Sequence, residues 1–159
     1  MLDISELPTE PQSDDWGFVF AGRNTVTSLR GQPGLPWRLS EVAEHWGVSF
    51  SDAIPVGRWE DRGAWVFSVP EDSINQTQQI SGNLYGLLGR VEDSLFRAHG
   101  RAYQLLHWRD THRHCGRCGS LTRAIEDGRA VLCDSCSLRV YPRVSPCVIC
   151  LLYTSPSPR

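Results

Sequence analysis

Four cysteines in two matched pairs are the residues in this sequence best suited to chemistry. Cys115 and Cys118 form one C-x2-C pair, and Cys133 and Cys136 form a second pair after fourteen intervening residues. Two residues between cysteines let both sulfurs of a tight turn face one ion, and two such turns complete a tetrahedral zinc site. Because four protein ligands leave no position for water, the spacing predicts a structural zinc rather than a catalytic one.

The segment that joins the two cysteine pairs has the pattern of a β-hairpin. Leu121 to Ile125 and Arg129 to Leu132 are short β-prone runs, and Glu126-Asp127-Gly128 between them is a turn sequence. Glycines at 116 and 119 favour a backbone that curls around a metal. The sequence therefore predicts a zinc ribbon over residues 114–141.

Other roles for these and neighbouring residues are less well supported. A redox C-x-x-C pair usually stands alone near a βαβ pattern, and structural disulfides need an oxidising compartment that no secretory signal indicates. His112 and His114 are possible ligands, but with four cysteines available we expect them at the surface or around the site. Cys147 and Cys150 lie in an apolar run and are predicted to be small core residues.

The first part of the chain has the mixed pattern of a small α+β domain. Residues 1–15 are acidic and interrupted by proline, so we expect a loose arm before a domain over residues 16–92. Its five tryptophans are interpreted as core residues. The predicted elements are strands at Trp16 to Phe20, Ala64 to Pro70 and, less clearly because of Pro55, Asp52 to Trp59, with a helix at Ser40 to Gly47 that Ser40 would cap.

A helix is predicted to connect this domain to the ribbon over residues 93–113. Apolar residues recur at three- and four-residue steps, which gives the helix one apolar face; they are Leu95, Ala98, Ala102, Leu105 and Leu106. Gly100 weakens the pattern by ~1 kcal/mol relative to alanine, and two shorter helices broken at this glycine are the alternative.

Charge is distributed unevenly along the chain. The net charge is -2, and all sixteen basic residues are arginine. Between Arg97 and Arg123, however, six arginines and four histidines accompany one acid, Asp110. This stretch is either a solvated helix face or a surface for phosphate-bearing ligands. No apolar run approaches the ~18 residues that span a membrane and the N-terminus has no targeting pattern, so we predict a cytoplasmic protein.

The residues around the cysteines resemble a known family. The runs QLLHWRDTHRHCGRCGSLT, LCDSC and VYPRVSPCVI are similar to the zinc-binding NADH pyrophosphatases of the Nudix hydrolase superfamily. The resemblance implies an N-terminal domain of Nudix-like α+β type, zinc ligands at Cys115, Cys118, Cys133 and Cys136, and a catalytic Nudix domain starting at residues 142–149.

The same resemblance implies a function. Members of the family hydrolyse NADH or NAD to a nicotinamide mononucleotide and AMP, and some remove NAD caps from RNA, with magnesium or manganese ions held by glutamates. Tyr141 matches a tyrosine that contacts the substrate, although a packing role under the ribbon is equally compatible with the sequence. An acidic residue that some members carry in the hairpin corresponds here to Gly128. The full-length protein is expected to be a homodimer.

One departure from the family concerns catalysis. The Nudix box, G-x5-E-x7-R-E-U-x-E-E-x-G-U with U a bulky aliphatic residue, does not occur in these residues, and the last glutamate is Glu126. We therefore expect a fragment with no catalytic residues that is inactive alone, and we interpret residues 150–159 as a non-native tail. A stand-alone zinc-ribbon module that binds nucleic acid or a protein partner is the alternative function.

Overall fold

A mixed sheet, two helices and a small three-stranded sheet make up residues 2–28, 34–75 and 79–143, the parts of the chain that this computed structural model describes. The two helices are α1 (Leu39–Trp46) and α2 (Asp93–Thr111). The strands are β1 (Leu2–Asp3), β2 (Trp16–Ala21), β3 (Asn24–Ser28), β4 (Trp37–Arg38), β5 (Ile54–Trp59), β6 (Arg62–Val69), β7 (Gln79–Asn83), β8 (Thr122–Ile125), β9 (Ala130–Cys133) and β10 (Arg139–Val140). The mixed α and β character predicted from the sequence is confirmed.

The larger sheet runs in the order β1-β5-β6-β2-β3-β7, with β4 also paired to β2. β2 and β6 are parallel, with Phe18 opposite Val66, and the segment between them contains α1. The other pairs of this sheet are antiparallel. β8, β9 and β10 form a separate antiparallel sheet around the cysteines.

Each face of the larger sheet is covered by one helix. Because successive side chains of a strand point to opposite faces, Phe18 and Val66 pack with the buried face of α2, whereas Val19 and Phe67 pack with α1. Gly17 lies where α1 crosses β2, and a Cβ atom there would lie 2.8 Å from Val42 Cγ2. The absence of a side chain at this position therefore allows the helix to approach the sheet closely.

The start of α1 differs from the prediction. The helix begins at Leu39, Arg38 is its N-cap residue, and the Arg38 amide donates to Glu41 Oε2 at 2.8 Å. Ser40 is not the cap, since it lies inside the first turn and its amide donates to Ser13 O at 2.9 Å. The predicted end is confirmed, because Gly47 adopts the left-handed conformation with φ 60°.

α2 is continuous through Gly100, so the alternative of two shorter helices is wrong. Leu95, Ala98, Ala102 and Leu105 are buried in one core cluster with β2, β5 and β6, and Leu106 packs beside them partly exposed. Burying a row of apolar side chains stabilises the helix by more than the ~1 kcal/mol that one glycine costs. None of the helices in the described part of the chain is long and apolar enough to cross a membrane.

The N-terminal segment is less loose than predicted. Leu2–Asp3 pair with Trp59 and Arg58 at the edge of the sheet. At the other end of the segment, the buried Asp15 carboxylate accepts hydrogen bonds from the Gly63 amide at 2.9 Å and the Trp65 indole at 2.8 Å. Such contacts between distant parts of the chain leave no periodic signal in the sequence.

The remaining predictions for this domain agree with the structure in their main features. The strand predicted from Asp52 starts at Ile54, after a 3-10 turn over Phe50–Asp52, and it includes Pro55 beside a register shift. Four of the five tryptophans are buried, and Trp46 packs, partly exposed, against the cluster that contains Trp37 and Trp65. Cys147, Cys150 and the predicted tail over residues 150–159 lie outside the described residues, as does the predicted Nudix strand beyond Arg143.

His99 is a buried polar residue that ties α2 to two other segments. Its Nε2 lies 2.7 Å from Gly34 O and its Nδ1 lies 3.0 Å from Thr25 Oγ1. Because a carbonyl oxygen can only accept, Nε2 carries the proton and Nδ1 accepts from the threonine hydroxyl. Burial lowers the pKa of His99 to about 4, although the bond to Gly34 acts in the opposite direction.

The depressed pKa of His99 makes stability depend on pH. His99 gains a proton near pH 6.5 in the unfolded chain but not in the folded chain. Its contribution to the free energy of unfolding is therefore complete above pH 6.5 and is lost as the pH falls towards 4. Between pH 7.5 and pH 5 the loss should be about 2 kcal/mol. Urea unfolding followed by tryptophan fluorescence should show this difference, and it should be absent in His99→Gln.

A matched variant on the same helix controls for other titrating groups. His107→Gln removes an exposed histidine of α2 and should keep the full pH dependence. An unchanged pH dependence in His99→Gln would contradict the assignment.

Candidate metal centre and the adjoining cleft

The two cysteine pairs lie on turns of the same construction. After Cys115 the Gly119 amide donates to Cys115 O at 2.8 Å, and after Cys133 the Ser137 amide donates to Cys133 O at 2.8 Å. Both donors are in the left-handed region, with φ 77° at Gly119 and 57° at Ser137. The sequence indicated Gly119 correctly, whereas Gly116 is not among the residues with positive φ and is not required for the turn.

These turns bring the four sulfurs together. All four Sγ atoms lie within 4.8 Å of one another, with Cys115 3.5 Å from Cys136 and Cys118 3.4 Å from Cys133. None of the four forms a disulfide. In a tetrahedral site with Zn–S bonds of about 2.3 Å, neighbouring sulfurs are about 3.8 Å apart. The donor set and its spacing therefore fit one zinc ion, which would have a structural role.

Hydrogen bonds around the sulfurs favour their ionised form. The amides of Arg117 and Cys118 lower the pKa of Cys115, and the amide and hydroxyl of Ser120 lower the pKa of Cys118 to about 6. At Cys136 a hydrogen bond from the Leu138 amide also lowers the pKa, yet burial and the neighbouring sulfurs outweigh it and raise the pKa of Cys136 to about 12. Four thiolates this close together need a cation to offset their repulsion.

The neighbouring histidines lie outside this cluster. His112 Nδ1 is 2.8 Å from Trp108 O at the end of α2, and His114 is exposed and pairs through its backbone with Leu121. Among the described residues, the group of histidines, cysteines or acids able to hold a metal consists of the four cysteines alone.

The ribbon is fixed to the end of α2 and to the larger sheet. Thr122 of β8 donates from its hydroxyl to His112 O at 2.5 Å and from its amide to Arg113 O at 2.9 Å. On the far side of the hairpin, a Cβ atom at Gly128 would lie 3.3 Å from Pro55 Cδ, and φ there is 84°. A residue with a side chain would be strained at this position, so the conformation of the turn favours glycine.

Tyr141 follows β10 and takes part in a polar network with the hairpin. Its hydroxyl donates to Glu126 Oε1 at 3.1 Å, and Arg139 Nη1 donates to the same carboxylate oxygen at 3.0 Å and to the tyrosine hydroxyl at 3.4 Å. Sequence reasoning gave Glu126 only a place in the turn. Its position two residues before Gly128 was the one sign in the sequence that Glu126 could have a polar role. The direction of its side chain, however, depends on the positive φ of 53° at Glu126, which the sequence does not indicate.

A cleft of about 800 Å³ lies between α2 and the ribbon. Tyr141 lines it and remains 45% exposed. The structure thus brings Tyr141 to a concave surface, and its contact with a substrate stays a prediction.

Loss of one sulfur should release the metal. We expect about one zinc ion per purified chain and substantially less in Cys118→Ser, because three thiolates and a neutral hydroxyl hold zinc weakly. Metal analysis after dialysis measures the content, and cobalt substitution reports tetrahedral thiolate coordination by its absorption. His114→Gln is the matched control and should keep its zinc; zinc retained in Cys118→Ser would exclude this site.

Comparison with known proteins identifies the ribbon. Residues 110–141 match the family described as the NADH pyrophosphatase zinc ribbon domain. These residues include the four cysteines, the hairpin and Tyr141.

Similarity to known proteins extends beyond the ribbon. The chain is 32% identical to a NAD-capped RNA hydrolase of Yersinia enterocolitica over 107 residues, 67% of this chain and 38% of the relative. It is 38% identical to a NAD-capped RNA hydrolase of Deinococcus radiodurans over 108 residues, 66% of this chain and 37% of the relative.

A third relative covers more of the chain. A NAD-capped RNA hydrolase of Haemophilus influenzae is 28% identical over 138 residues, 87% of this chain and 49% of the relative. The chain thus spans between a third and a half of the length of these curated relatives. With the ribbon match and the cysteine geometry, these similarities show that the chain belongs to the family of zinc-ribbon NADH pyrophosphatases.

Proposed function

We propose that this chain is the N-terminal and zinc-ribbon portion of a Nudix hydrolase that cleaves the pyrophosphate bond of NADH or NAD and removes NAD caps from RNA. The observation that carries the proposal is the four-cysteine cluster, which fits zinc and lies inside the segment matched to the NADH pyrophosphatase zinc ribbon. The full-length protein is proposed to be a cytoplasmic homodimer. In it, the ribbon and the N-terminal domain form part of the wall of the substrate site.

Tyr141 is the residue of this chain that we assign to substrate contact. Its ring is partly exposed on the cleft, and its hydroxyl is fixed by Glu126 and Arg139. A restrained aromatic side chain offers a flat apolar surface for a nucleotide ring at low entropic cost.

Catalysis itself is assigned to residues outside this chain. The Nudix box pattern with its glutamates is absent from these residues. Magnesium or manganese, held by such glutamates, supplies charge neutralisation at the phosphates while water attacks phosphorus. What the residues described here do is fold the ribbon, hold Tyr141 and shape the cleft.

The chain alone should not hydrolyse NADH. Purified zinc-loaded chain incubated with NADH and magnesium or manganese should release no AMP by chromatography, since the Nudix box with its metal-binding glutamates does not occur in this sequence. Metal-dependent AMP release at a rate proportional to the chain concentration would refute the assignment of catalysis to other residues.

Binding of a nicotinamide nucleotide should depend on Tyr141. Replacing Tyr141 by leucine should raise the Kd for NADH about three- to tenfold, the range expected for loss of one aromatic contact. Titration of NADH fluorescence measures this. Tyr85→Leu is the control, because Tyr85 is 82% exposed and does not line the cleft. Equal affinities for the two variants would argue against a substrate role for Tyr141.

A stand-alone zinc-ribbon module that binds nucleic acid or a protein partner is the second candidate, and the basic character of the cleft favours it. The nucleotide sequence downstream of the codon for Ile149 separates the two functions. An in-frame Nudix box there supports the hydrolase, and a different coding sequence supports the module.

A further inference from the structure

The cleft between α2 and the ribbon is basic although the whole chain is weakly acidic. The basic side chains that line it are Arg101, His107, His112, Arg129 and Arg143. None of the described residues that line it carries a carboxylate, whereas the chain as a whole has 18 acids for 16 arginines. A concave surface lined by one sign of charge focuses its potential and concentrates ligands of the opposite sign.

The ion pairs found in the described parts of the chain do not involve the arginines of the cleft. Three other arginines of this region are paired, Arg113 with Asp110 at 2.7 Å, Arg123 with Asp134 at 3.0 Å and Arg139 with Glu126 at 3.0 Å. Within the described parts of the chain, no such ion pair involves Arg101, Arg129 or Arg143. An external anion could therefore bind these guanidinium groups without breaking an ion pair between described residues.

Arg101 is held in place by a backbone carbonyl and has no ion pair with any residue that the structure describes. Its Nε donates to Val56 O at 2.9 Å, so one donor is used to fix the side chain. Burial lowers the pKa of Arg101. Arg139, which is paired, shows the opposite effect, because its hydrogen bond to Tyr141 and the charge of Glu126 raise its pKa. A partly buried cation is stabilised when an anion binds beside it.

Aromatic rings line the same cleft as these cations. Tyr103 and His107, one turn apart on α2, stack with centroids 6.0 Å apart and an angle of 7° between their planes. Both line the cleft, as does Tyr141. Arginines that bind phosphate and aromatic rings that stack on bases are the combination found where proteins bind nucleotides and single strands.

We propose that this cleft binds nucleotide phosphates, with Arg101, Arg129 and Arg143 on the phosphate groups and an aromatic ring against a base. The phosphate chemistry rests on the cleft alone. The source of that phosphate in the cell, which we take to be the RNA strand that follows a cap, rests on the proposed function. A volume of about 800 Å³ is within the range of ordinary ligand sites.

The test is fluorescence anisotropy with a labelled single-stranded RNA of about ten nucleotides and the zinc-loaded chain at low salt. Arg129→Gln and Arg143→Gln should each weaken binding about tenfold, as expected for loss of a charged hydrogen bond. They should also reduce the dependence of affinity on salt. Arg101 is left intact because its bond to Val56 contributes to the fold.

The control variant is Arg97→Gln. Arg97 is an exposed residue of the same helix and the same basic stretch, but it does not line the cleft. Its replacement should change RNA affinity less than about twofold, whereas three equal losses would show that net charge rather than the cleft binds RNA. Zinc content checks that each variant is folded.

Competition distinguishes the two sources of phosphate. Displacement of the labelled RNA by AMP, with a loss of AMP affinity in Arg129→Gln, shows that a free mononucleotide suffices. Arginine-dependent RNA binding without displacement by AMP assigns the cleft to an RNA strand. No binding of either probe overturns the proposal. Because NADH binding through Tyr141 is measured separately, either proposal can fail while the other holds.

Discussion

The constraint on which the ribbon depends is the close approach of four sulfurs that need a shared cation. The three strands around them are short and bury few side chains, of which Ala130 and Val131 are the clearest examples. A segment of this size cannot be stabilised by an apolar core alone, and metal binding supplies its folding free energy instead. The two equivalent turns and their amide hydrogen bonds prepare the sulfurs for that ion.

Helix α2 connects the ribbon to the rest of the molecule. Its apolar face is buried in the core with the larger sheet, and His99 anchors it further through Thr25 and Gly34. The same helix ends where Thr122 joins the ribbon by two hydrogen bonds. One wall of the cleft is the helix and the other is the ribbon, so the geometry of the cleft depends on both the apolar core and the metal centre.

The parts of this structure that the sequence predicted are those with a local physical signal. Cysteine spacing, the short aromatic and β-branched runs of β2 and β6, and the apolar period of α2 each arise within a few consecutive residues. Other features depend on contacts between distant residues, such as the pairing of Leu2 with Trp59 and the bond of Ser40 to Ser13. The role of Glu126 belongs to this second group, because the turn conformation directs its carboxylate to Tyr141.

The metal centre and the cleft follow the same electrostatic rule with opposite signs. Clustered thiolates are stable only with a cation, and guanidinium groups that line one cleft are stabilised by an anion. In the ribbon, Arg123 and Arg139 already have carboxylate partners, so those charges are satisfied within the protein. Arg101 is partly buried and fixed by a backbone carbonyl that carries no full charge, so an anion bound in the cleft would stabilise it. Of the basic stretch between Arg97 and Arg123, Arg101, His107 and His112 therefore line the helix side of the cleft, and Tyr141 lines the ribbon side.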